Sequence, residues 1–175
     1  YGQGFFISYI SSIIHFSNVA LLSFIGIGFT YLGTLIFWLA QPRVGSKRME
    51  VIGYAGMAAS FYIFAGLMAS GYFATASSFA ALLVGVTFAN LAKTFGQIGP
   101  GSVVAVGAHG VELMPTKIRG IGHAVNVIGG RLGVLTTTFI LPGLLAADNP
   151  MAFVIMGVVS TLGAIIAALF VPETA

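Results

Sequence analysis

Six long apolar runs, parted by short polar breaks, constrain this 175-residue chain more than any other feature. They cover about Tyr1–Ile14, Val19–Ala40, Met49–Ser70, Phe79–Val111, Ile121–Leu145 and Met151–Val171. A helix of about 20 apolar residues matches a hydrocarbon core roughly 30 Å thick. In lipid every backbone N–H and C=O must find a partner within the protein, so only helices and closed barrels cross. The runs are too long for barrel strands and lack their period-two alternation. Charged residues make up only 6% of the chain, against about 25% in an ordinary soluble domain. The expectation is one all-α integral membrane bundle over residues 1–175, with six transmembrane helices. The first run is too short to cross alone, so the sequence reads as a piece of a longer polypeptide that begins within a helix. With no cysteine, a disulfide framework and a thiolate metal site are both excluded. The net charge of +3 sits at breaks between apolar runs, which argues against a nucleic-acid partner.

The charge also sets a topology. Arg43, Lys47 and Arg48 lie between the second and third runs, and Lys117 and Arg119 between the fourth and fifth. The other breaks carry no Lys or Arg. Cytoplasmic loops collect these residues. Both basic breaks are therefore expected inside, with the C-terminus, in a plasma or inner membrane. Gly129 and Gly133 form a G-x-x-x-G pair, and Gly66 and Ser70 a small-x-x-x-small pair; both predict close helix packing.

A few polar residues inside the runs are candidates for chemistry. Arg131 lies eleven residues beyond Gly120, roughly 16 Å into the fifth run at 1.5 Å per residue. A charge at that depth must face a cavity, pair with a carboxylate or snorkel to the surface. Its planar fork suits carboxylate or phosphate. Lys93 and Gln97 are spaced i, i+4 and share a helix face, just before the helix-disturbing Gly99-Pro100-Gly101. Broken helices often mark a transporter's substrate site. Lys93 could equally snorkel outward, and Gln97 could serve as an interhelical hydrogen bond. Tyr1 is a cavity candidate or a membrane-edge aromatic. His109 and Glu112, with His123 further on, lack the spacing of a metal site, and no metal or cofactor is expected. Glu112 reads as an ion-pair partner at the cytoplasmic mouth. No nucleophile–base set or phosphate loop occurs, which argues against an enzyme.

Several stretches resemble the C-terminal half, helices seven to twelve, of the major facilitator superfamily. "ELMPTKIRG" resembles its E-x-x-P-T-x-x-R-G segment, "PRVGSKR" its D-R-x-G-R-[KR] loop, and "VPETA" its P-E-T end. The resemblance implies a 3+3 inverted repeat and alternating access against an N-terminal half missing from this sequence. "RGIGHAVNVIGGRLG" and "AKTFGQIGPG" are similar to stretches of phosphate:proton symporters. By position, that resemblance implies an anion site lined by Tyr1, Gln97 and Arg131, with Gln97 in place of Asn and Arg131 in place of Lys. Lys93 joins the site on depth and polarity. The loop motifs imply an inner gate of Arg43, Lys47, Arg48, Glu112 and Arg119, with Pro42 where the motif has Asp.

The expected function is secondary active transport: proton-coupled symport of a small anion such as phosphate. A sugar or organic anion, in the manner of the sugar porters, is the alternative. Two further readings remain: a non-transporting receptor or scaffold on the same fold, and a self-sufficient six-helix protein that dimerises into a transporter.

Overall fold

The computed structural model describes residues 19–75, 78–103, 114–146 and 150–172. The first apolar run, with Tyr1, lies outside them, as do His109, Glu112 and Asp148. Helix α1 spans Val19–Val44, α2 Ser46–Ala69, the single turn α3 Tyr72–Thr75, and α4 Ser78–Gly96. A π-helical turn, Gln97–Gly101, continues α4. Helix α5 spans Arg119–Ala146 and α6 Met151–Phe170. Among the described residues five helical spans are long and apolar enough to cross a membrane, which accounts for the second to sixth runs.

Several hydroxyls within these helices are met by their own backbone. Thr30 donates to the Gly26 carbonyl at 2.9 Å, Ser60 to Gly56 at 2.8 Å and Ser160 to Met156 at 2.9 Å. Each hydroxyl is satisfied by its own helix, one turn back. Large apolar side chains such as Phe24, Trp38, Phe139 and Phe170 point outward, as lipid-facing residues do.

Helix α2 is the centre of the bundle. Its C-terminal half packs Phe64 and Ala65 against Ala152 and Phe153 of α6. The Phe64 and Phe153 rings lie 4.5 Å apart. Along the same seam two tyrosines of α2 lie over glycines of α6. A Cβ on Gly157 would stand 2.7 Å from the Tyr62 ring, and one on Gly163 2.7 Å from the Tyr54 ring. The pairing runs antiparallel, so the start of α2 and the end of α6 share one end of the bundle. At that end Met49 packs with Phe37 of α1 and with Ile98 and Val103 beyond α4.

Two connections differ from the sequence expectation. "QPRVGSKR" is expected as a polar loop, but α1 runs through Pro42 to Val44 and α2 begins at Ser46. The whole reversal rests on Gly45, at φ 86°, a backbone region open to glycine at no steric cost. The Gly45 N–H donates to the Gln41 carbonyl at 2.9 Å, and its own carbonyl accepts from Met49 at 3.1 Å. "GQIGPG" is expected to disturb the fourth helix, and it does so without ending it. Pro100 has no N–H to give the Gly96 carbonyl, and the chain widens into the π turn at that point.

The expected glycine pairs are not where the helices meet. A Cβ at Gly66, Gly129 or Gly133 would have nothing within 4 Å. The close approaches fall at Gly33, Gly53 and Gly99 instead. A small residue permits close packing but does not compel it. Among the described elements helix α5 packs chiefly on α6, and its Gly129–Gly133 face is exposed.

Candidate functional site

Helix α4 carries a polar stripe through a membrane span. Asn90, Lys93, Thr94 and Gln97 recur at i, i+3, i+4 and i+7, so they line one face. Asn90 is 3% exposed, Lys93 7% and Thr94 5%, whereas Gln97 is half-buried. Thr94 anchors the stripe to α1. Its hydroxyl lies 3.2 Å from the Phe29 carbonyl and 3.0 Å from the Asn90 carbonyl. The approach is close because Gly33 has no side chain there: a Cβ would stand 2.5 Å from the Thr94 carbonyl oxygen and 2.9 Å from Gln97 Cβ.

The π turn then positions the Gln97 carboxamide. Its oxygen lies 2.8 Å from where a Cβ on Gly101 would be, so the side chain folds along the turn. On the opposite side the turn presses against α2. A Cβ on Gly99 would stand 2.7 Å from Gly53 Cα, 2.8 Å from the Met49 carbonyl and 3.0 Å from the Glu50 carbonyl.

Lys93 departs from one expectation. A snorkelling lysine, or one displayed on an open face of this bundle, would be well exposed; Lys93 is held inside. Among the described residues no hydrogen bond or ion pair to its ammonium forms. Arg131, expected near the midplane facing a cavity or a partner, lies on the exposed face of α5. The structure therefore joins Lys93 and Gln97 on α4 but leaves Arg131 apart on α5, which packs mainly on α6. The one-dimensional depth of Arg131 was readable; the direction it faces depends on which helix α5 packs against. A cavity of about 190 Å³ opens between α5 and α6, beside Thr136, Thr137, Ile155 and Met156. It is apolar, because both threonine hydroxyls donate to carbonyls of α5 itself, and it holds none of the candidate residues.

The described gate residues gather at one end, and Glu112 lies outside the described residues. Arg43 and Arg48 are exposed and Lys47 half-buried, around the Gly45 turn. Arg119 begins α5 at the same end of the bundle, since α5 runs antiparallel to α6. Its Nε donates to the Met114 carbonyl at 3.2 Å, and Lys117 beside it is exposed.

Two buried polar residues escape the sequence reading. Glu50, at the edge of the basic break, is 7% exposed, one turn into α2 beside the π turn. Asn90 gave a usable signal, since polar residues at positions 90, 93, 94 and 97 of an otherwise apolar run already mark a stripe.

Residues 4–175 match the family model described as "Sugar (and other) transporter". The chain belongs to that family. The sugar-transporter match covers nearly the whole length, so all five described spans fall within it. No curated protein and no solved structure matches the chain. As a member of the sugar (and other) transporter family, the chain is a multi-pass membrane transport protein of the major facilitator superfamily. Members of this family are transporters and not enzymes.

Proposed function

We propose that the chain is the C-terminal six-helix half of a secondary transporter that carries a small anion, phosphate first, in symport with protons. The observation that carries this reading is Lys93. A positive group buried in a membrane span is costly and marks a substrate or ion path by default. With no resident carboxylate beside it among the described residues, a solute anion is its natural partner. Gln97, one turn on, supplies a carboxamide that both donates and accepts. Tyr1 and Arg131 complete the proposed site when a second bundle closes over this one. Arg43, Lys47, Arg48, Glu112 and Arg119 form the proposed inner gate, and the concentration of basic residues at one end supports placing that end in the cytoplasm. Transport proceeds by rocking of the two bundles about the site.

A sugar is the second reading, and the family match favours it at least as well. Gln97 and the polar stripe suit hydroxyls as readily as oxyanion oxygens. The deciding experiment uses the full-length polypeptide in proteoliposomes. Uptake of labelled phosphate and labelled hexose is followed with and without an inward proton gradient, alongside Lys93→Met and Arg131→Ala. Gradient-driven phosphate uptake lost in Lys93→Met is the expected result. Hexose uptake that survives Lys93→Met, with no phosphate uptake, would replace the anion by a sugar.

A further inference from the structure

Asn90 holds a group that nothing in the bundle uses. Its Nδ2 donates to the Val86 carbonyl at 2.8 Å. A carbonyl oxygen can only accept, so the nitrogen must be the atom on that side, and the orientation of the carboxamide is fixed. The Oδ1 on the other side is buried with no hydrogen-bond partner, in a residue only 3% exposed. A buried acceptor is expensive to leave unmet, and the more so within a membrane span.

The neighbours on the same face do not meet it. The single hydroxyl hydrogen of Thr94 is committed to a carbonyl, that of Phe29 or of Asn90 itself. Lys93, three residues on, can only donate, and no bond joins it to Oδ1. One turn of α4 therefore presents a bare acceptor at Asn90 and a bare donor at Lys93, with Cβ atoms about 5–6 Å apart. A hydroxyl group meets both demands, giving its hydrogen to Oδ1 while its own or a neighbouring oxygen takes the ammonium. A fully deprotonated oxyanion meets only Lys93 and sets lone pairs against Oδ1.

We propose that Asn90 is a specificity-determining residue that accepts a hydrogen bond from a hydroxyl of the transported solute. The inference rests on the transport reading above. The shared chemistry is an O–H beside an oxygen acceptor, which a sugar ring carries and so does the P–OH of hydrogen phosphate. Sulfate, with no proton at neutral pH, lacks it.

The test compares the wild-type full-length transporter with Asn90→Leu, Asn90→Ala and Asn90→Asp in proteoliposomes. For phosphate, sulfate is the competitor; for hexose, a set of singly deoxygenated hexoses. Wild type should reject sulfate, or one of the deoxyhexoses, by about ten- to a hundredfold. Asn90→Leu and Asn90→Ala should lose most of that discrimination, and Asn90→Ala keeps the test open where the larger side chain prevents folding. Asn90→Asp separates the two sources. Its carboxylate would pair with Lys93, so phosphate uptake should fall more than tenfold, while a hexose hydroxyl still finds an acceptor. Folded variants that retain wild-type discrimination would overturn the proposal and assign Oδ1 to a structural water. A wild type that takes up no solute of either kind would instead fail the transport reading, and the proposal with it.

Discussion

A backbone-to-backbone contact between α2 and the π turn offers a direct test of how the bundle is held together. Gly53 of α2 faces the π turn, and a Cβ added there would stand 2.5 Å from Gly99 Cα, 2.7 Å from Gly99 N and 2.7 Å from the Phe95 carbonyl oxygen. All three are backbone atoms, so no rotamer change relieves them. Carbon atoms in ordinary contact lie about 3.5–4.0 Å apart, so Gly53→Ala must push α2 and the turn apart by roughly an ångström. Overpacking of this kind costs about 1–3 kcal/mol. Alanine also favours a helix over glycine by about 1 kcal/mol, which partly hides the clash. Gly66→Ala removes the ambiguity, since Gly66 lies in the same helix with nothing within 4 Å of its added Cβ. The difference between the two variants isolates the clash. At about 2–4 °C per kcal/mol for a chain of this size, Gly53→Ala should melt roughly 2–12 °C below Gly66→Ala in detergent. Uptake should fall with it, because the displaced turn carries Gln97. Equal melting temperatures for the two variants would refute the packing assigned to the π turn.

Three further outcomes follow from named contacts. Lys93→Met should raise the melting temperature while abolishing anion uptake, because replacing a buried charge with an apolar chain of similar length removes a desolvation cost; a destabilised Lys93→Met would reveal an ion-pair partner. Thr94→Val removes the hydroxyl 3.2 Å from the Phe29 carbonyl and should cost about 0.6 kcal/mol, the usual size of an interhelical hydrogen bond in a membrane, read as a drop of one to a few degrees in melting temperature. Residues 1–175 contain no cysteine, so in a full-length protein freed of any other cysteine a thiol can be placed singly at Gly71 or at Lys117; a membrane-impermeant maleimide on intact cells should label the first and spare the second, and the opposite pattern would invert the proposed orientation.

The fold was legible because lipid removes alternatives. A run such as Met151–Val171 has no charge, and its backbone can be satisfied only as a helix, so the structure returns Met151–Phe170 almost residue for residue. The breaks were harder. Pro42 and Gly45 are loop-forming in composition, yet proline tolerates the last turn of α1 when the carbonyl it denies is near the helix end, and one glycine at positive φ makes the reversal. Helix contacts were least legible. Two G-x-x-x-G-like pairs were visible and neither lies at a close crossing, because small residues lower the barrier to approach without choosing a partner. The choice was made by surfaces that meet across long sequence distances, Gly53 with Gly99 and Tyr62 with Gly157.

The same distinction explains which candidate residues came together. Spacing along one helix is a local property, so Lys93 and Gln97 fell on one face as expected and Asn90 belonged with them. Arg131 is on another helix, and its direction depends on where α5 packs. Within this bundle it faces outward. An exposed arginine eleven residues into a membrane helix is costly against lipid, and the proposed second bundle would cover that face of α5. Lys93 lies inside and Arg131 outside, so the two cations cannot be interchangeable. Replacing the buried Lys93 should therefore shift the melting temperature more than replacing the exposed Arg131, because a buried charge carries a desolvation cost that an exposed one does not.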